Sequence, residues 1–93
     1  MKNLSKAEQI SLGKKLLNTP DKYKESIKVI DLLEKDSKID AVYIYESIRG
    51  GESIIVDFKG EVLWASSAGF QKHLEEYNKG RRTSIESLKN RKR

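Results

Sequence analysis

Cysteine does not occur in this chain, so a disulfide framework, a thiolate nucleophile and a Cys-containing zinc site are all excluded. The single histidine, His73, has no second imidazole with which to share a metal. Proline occurs once, at Pro20, and nowhere do about 18 apolar residues run together as a membrane span needs. No G-x-x-x-x-G-K-[ST] phosphate loop and no G-x-S-x-G nucleophile elbow is present. These absences predict a chain without catalytic residues, cofactor or metal and without a membrane partner. A reducing compartment fits the lack of cysteine, and the cytoplasm is the expected location.

What is there describes one small domain. With 93 residues, 37% hydrophobic and 35% charged, the chain has the composition of a solvated globular domain. A chain of this length removes roughly 60 to 65% of its unfolded surface from water, so its core is small.

Charge is distributed unevenly. Residues 1–80 hold thirteen Lys and Arg against thirteen Asp and Glu, whereas Arg81 to Arg93 holds six cations and only Glu86 as an acid. The whole net charge of +5 therefore sits in the last thirteen residues. The expected division is a domain over 1–80 and a basic extension over 81–93. A local cation cluster focuses field that a mixed surface cancels, so Arg81, Arg82, Lys89, Arg91, Lys92 and Arg93 are the candidate nucleic-acid-binding residues.

The chain reads as α+β: two N-terminal helices, a three-stranded antiparallel meander, a C-terminal helix and a short basic tail with helix-forming signals. Ser5-Lys6-Ala7-Glu8 is a capping box that opens a first helix carrying Ile10, Leu12, Leu16 and Leu17, and Asn18-Thr19-Pro20 ends it. Thr19 as N-cap and Pro20 as first residue predict a second helix to about Lys35, with Tyr23, Ile27, Ile30 and Leu33 at helical spacing. A polar connector, 36–40, follows. The runs 41–48, 53–58 and 61–65 are rich in β-branched and aromatic residues and are separated by Gly50-Gly51 and Lys59-Gly60, which predicts three strands.

Two-residue turns at those glycines would place Tyr43, Tyr45, Ile54, Val56, Phe58, Leu63 and Ala65 on one face. Val42, Ile44, Ile48, Ile55, Val62 and Trp64 would lie on the other, interrupted by Glu46 and Asp57. An odd loop length would change this sorting. A sheet apolar on both sides needs cover on both, so Ile55, Val62 and Trp64 are the candidate partner-binding residues for self-association or a heterologous protein. Ser66 or Ser67 can cap a further helix with Phe70, His73, Leu74 and Tyr77 on one stripe, ending at Gly80. Thr83-Ser84-Ile85-Glu86 is a second capping box, which makes a folded tail with Ile85 and Leu88 the expectation.

Other constellations read as structural. Tyr43, Tyr45 and Phe58 could stack bases, but no Lys or Arg interleaves with them and core packing is the better reading. Glu46 and Asp57 could form a carboxylate pair, for which exposure near the sheet edge is the simpler account. By element order the chain is similar to the double-stranded RNA-binding domain with one helix added in front. Its Ser66–Lys72 stretch holds one lysine where that family has several. A helical hairpin followed by a meander also resembles the small ribosome-dependent RNase toxins, but Met1 to Leu4 is too short for their leading strand and their Arg, Lys and Tyr catalytic cluster has no counterpart. The leading expectation is a non-enzymatic binding or accessory protein whose basic tail contacts nucleic acid. A protein-interaction module comes second, and a small nuclease using His73 third.

Overall fold

Ser5 and Glu8 form the capping box reciprocally: Glu8 N–H donates to Ser5 Oγ at 3.1 Å and Ser5 N–H to Glu8 Oε1 at 2.8 Å. The helix they start, α1, runs Lys6–Leu17 and ends at Asn18 in the left-handed region with φ 52°. These coordinates are a computed structural model, which describes residues 3–32, 41–66 and 69–91.

The chain does not then form a second α-helix. Asp21–Ser26 is a 3₁₀ helix, and the chain leaves it as a strand, β1, Ile27–Asp31. Ile27, Val29 and Ile30 suit a helical stripe and a pleated strand almost equally, and three β-branched residues in four favour the strand once an edge is there to pair with. That edge is β2, Ala41–Glu46, against which β1 runs antiparallel with Val29 opposite Ile44. Leu33, Lys35 and the connector 36–40 lie outside the described residues.

The meander therefore has four strands, in the order β1-β2-β3-β4, with β3 at Glu52–Asp57 and β4 at Val62–Ser66. Its turns are longer than two residues. Tyr45 pairs with Ser53 across a loop spanning 47–51, and Asp57 N–H donates to Glu61 O at 3.0 Å across 58–60. Both loops are odd, so β3 is turned over relative to the two-residue expectation. Gly60 at φ +87° and an Asp57 side chain that accepts from the N–H groups of Lys59 and Glu61 hold the tighter turn.

That inversion decides the two cores. Val42, Ile44, Ile54, Val56 and Val62 pack with Leu16, Leu17 and Leu88 under α1 and a short C-terminal helix, α3, Ile85–Asn90. Ala41, Tyr43, Ile55 and Leu63 pack on the opposite face with Tyr77, Phe70 and Leu74 of α2, Phe70–Asn78. Helices thus cover both sides of the sheet. Gly13 lets α1 approach: a Cβ there would meet Ile44 Cδ1, and Val56 Cγ2 would lie at 3.1 Å.

The expected helix caps moved as well. α2 starts at Gly69 without a side-chain cap, Ser66 belongs to β4, and Ser67 lies outside the described residues. α3 is capped by Ser84, whose Oγ accepts from Ser87 N–H, one residue later than the Thr83 box predicts, because Thr83 is held by the sheet edge.

Candidate polyanion-binding surface

The tail begins where Gly80, at φ +93°, lets the last turn of α2 close with Gly80 N–H on Tyr77 O and Arg81 N–H on Glu76 O. Its cations then diverge. Arg81 Nε pairs with Glu76. The Arg82 guanidinium carbon lies 3.9 Å from the centre of the Tyr77 ring, Nη1 donates to Tyr77 O at 3.0 Å, and Glu61 Oε1 is 3.4 Å from Nε. Thr83 binds the outer edge of β4: its N–H donates to Val62 O at 2.8 Å, and its Oγ1 accepts from Trp64 N–H at 3.0 Å.

Arg91 closes the tail onto the end of α1 and the start of β3. From Nη2 it donates to Leu16 O and Leu17 O, and from Nη1 it reaches Glu52 Oε1 at 3.1 Å. Its guanidinium lies 5.2 Å from the Trp64 ring, and Trp64 Nε1 donates to the same Glu52 oxygen at 3.1 Å. Arg82 and Arg91 thus spend much of their hydrogen-bonding capacity on the protein, whereas Arg81 stays largely exposed beside Glu76. Lys92 and Arg93 lie outside the described residues.

Lys89 is different, because it is exposed and forms no ion pair among the described residues. It lines a depression of about 470 Å³ with Lys15, Leu16, Asn18, Leu88 and Arg91. An adjoining depression of about 380 Å³ is lined by Lys14, Lys15, Asn18, Thr19, Lys24 and Ile27. Lys15 and Asn18 belong to both, so the two form one surface around the end of α1. No Asp or Glu lines either one among the described residues. Among the described residues Lys14 and Lys15 are exposed and form no ion pair, and Lys24 has only Asp21 at 3.6 Å, an exposed i,i+3 contact worth little.

The physical setting favours an anion despite the helix end. Free carbonyls at a C-terminus would repel one, but Arg91 occupies those of Leu16 and Leu17, and Asn18 N–H closes on Lys14 O. Sequence reasoning missed Lys14, Lys15 and Lys24 because a count over residues 1–80 cancels them against acids elsewhere. The pair of lysines in the last turn of α1 was the available signal.

The expected partner-binding set does not share a face. Ile55 is buried under α2, whereas Val62 and Trp64 face α1 and α3, Val62 buried and Trp64 partly covered by Arg91. Glu46 and Asp57 also fall on opposite faces, and neither is exposed: each is 4% accessible. Glu46 accepts from Thr19 Oγ1 at 2.6 Å and from Glu52 N–H at 2.9 Å, and Asp57 accepts from Tyr77 OH at 3.1 Å. Burial and the neighbouring Asp57 carboxylate push the Tyr77 phenol up to about 12.

His73 is 1% accessible and bridges α2 to the sheet. Its Nε2 is 2.8 Å from Leu63 O, which only accepts, so Nε2 carries the proton and Nδ1 accepts from Ser53 Oγ at 2.8 Å. Burial depresses its pKa, partly offset by the Leu63 bond. In an open cleft an alcohol on an imidazole is a nucleophile–base pair. Here Ser53 is buried as well, and the pair acts as a strut that holds α2 in place. Tyr43 packs edge-on against both His73 and Phe70, as a core residue.

No protein-family model, curated protein or solved structure matches this chain.

Proposed function

We propose that this protein is a non-enzymatic accessory protein that contacts nucleic acid through the surface around the end of α1, with Lys14, Lys15, Lys24 and Lys89 on phosphates. The observation that carries the reading is the convergence of these lysines from three separate elements onto two adjoining depressions with no carboxylate in their lining. Lysines act there as point charges that neutralise phosphates without reading bases, so binding is driven by counterion release and is indifferent to sequence. The contact thus falls on lysines of α1, the 3₁₀ helix and α3 and not on the arginines of the tail.

Four phosphate contacts predict a slope of log K on log salt of about −3.6 on duplex DNA and about −2.8 on a single strand. Fluorescence anisotropy with a labelled oligonucleotide measures it. The Lys14→Ala/Lys15→Ala/Lys89→Ala variant should flatten the slope by about 2 to 3. Removing Lys22, Lys59 and Lys72 instead changes the net charge equally and should leave most of the slope in place. Equal losses in the two variants, or no loss in the first, would overturn the reading.

A further inference from the structure

The two edges of the sheet are treated differently. Thr83 occupies the outer edge of β4, whereas nothing among the described residues pairs with the outer edge of β1. Leu32 N–H donates to Ala41 O and Ser47 N–H to Ser26 O, so the even-numbered residues of this edge point their backbone groups toward β2. The N–H and C=O groups of Ile27, Val29 and Asp31 therefore point outward. The strand has no proline and its register with β2 is unbroken, so it lacks the bulge or proline that commonly blunts an edge. Val29, on the α1 face, is 40% accessible and Ile30, on the α2 face, 39%.

We propose that β1 pairs antiparallel with β1 of a second copy of this chain, centred on Val29, to make a continuous sheet across a two-fold axis. This goes beyond the nucleic-acid reading and does not depend on it. Three features of the edge favour an identical strand. The outward residues are the first, third and fifth of a five-residue strand, so a two-fold at Val29 sets Ile27, Val29 and Asp31 against the partner's Asp31, Val29 and Ile27 and satisfies every outward donor and acceptor.

The added strand must also be apolar on both faces at its centre, as β1 is. Val29 meets the partner's Val29, and Lys28 lays its stem across the partner's Ile30. The charges are compatible too. The partner's Asp31 falls opposite Ile27 and is already paired with Lys6 of its own chain at 3.0 Å, so the seam gains no uncompensated acid.

An axis through the Val29 pair stands perpendicular to the sheet and keeps both α1 helices on the same side. The dimer therefore presents its two basic surfaces on one face.

Sedimentation equilibrium of the full chain without nucleic acid tests the pairing. The wild-type chain should self-associate as a dimer. Val29→Pro should make it monomeric with an unchanged circular-dichroism spectrum, since the lost N–H points away from β2. The chain has no cysteine, so Val29→Cys adds a unique thiol, and hydrogen-bonded antiparallel neighbours lie about 5.5 Å apart at Cα, within disulfide reach. Val29→Cys should oxidise to a covalent dimer at least about tenfold faster than the exposed control Lys22→Cys. If Val29→Pro fails to fold, the rates of disulfide formation decide. A wild-type monomer at high concentration, a dimer that survives Val29→Pro, or equal oxidation of the two cysteine variants would each overturn the pairing.

Discussion

Arg91 caps α1 from the far end of the sequence, its Nη2 donating to the carbonyls of Leu16 and Leu17 at 2.8 and 3.0 Å. Carbonyls in the last turn of a helix lack intrahelical donors, and Arg91 serves two of them beside the core. A guanidinium supplies several donors in a fixed plane, so one side chain serves both carbonyls and Glu52 together.

Replacing Arg91 by Ala should cost about 2 kcal/mol in urea unfolding, since its bonds are charge-assisted and largely shielded from solvent. Arg91→Lys should recover little of this, because an ammonium cannot span the three acceptors. Trp64 emission should shift to the red in both variants as its indole loses the guanidinium cover. An Arg91→Ala chain as stable as the wild type would mean that α3 docks through Leu88 alone.

The stability of the domain should fall as pH drops below about 6.5, the pH at which His73 of the unfolded chain takes up a proton. Burial depresses the folded-state pKa, so the folded chain resists protonation and the contribution of the neutral ring is complete only above the unfolded value. Over the interval between the two values the unfolding free energy should decline by about 1.4 kcal/mol per pH unit. His73→Gln should remove the dependence that sets in below about pH 6.5, while leaving the carboxylate-driven loss at lower pH. Urea midpoints against pH for both chains give the comparison, and identical curves would contradict the role assigned to the ring.

Gly13→Val should cost about 3 kcal/mol. The added carbons enter a closed contact with Ile44, Val56 and Ile54, and the penalty outweighs the better helix propensity of a non-glycine residue, worth less than about 1 kcal/mol. Thermal unfolding measures it, and an unchanged midpoint would show that α1 can lift off the sheet without loss.

Tyr77→Phe should cost about 1 kcal/mol, the ordinary net worth of a hydrogen bond, because Asp57 keeps its acceptance from the N–H groups of Lys59 and Glu61. The same substitution should remove from an alkaline absorbance titration a phenol that ionises at about 12. A wild-type titration identical to that of Tyr77→Phe above about pH 11 would contradict the burial of the phenol beside Asp57.

Local signals carried much of the architecture. The Ser5–Glu8 box started α1, Asn18-Thr19-Pro20 ended it, the stripe from Phe70 to Tyr77 became α2, and Gly80 closed it. Each depends on residues within about four positions of one another, so side-chain type alone constrains the backbone there. Absences were equally local: no described helix is long and apolar enough to cross a membrane, and the chain has no cysteine.

Three features required the tertiary structure. Ile27–Asp31 suits a helix or a strand by composition, and only the presence of β2 beside it selects the strand. The lengths of two loops turned β3 over and so separated Ile55 from Val62 and Trp64, a choice between odd and even that side-chain pattern does not encode when both faces are apolar. The basic surface arose because Arg91 docks on α1 and sets Lys89 beside Lys15. A linear count of charge places the net positive charge in the tail, but field depends on distance in space, and folding spends Arg82 and Arg91 on the protein while gathering lysines from the neutral body.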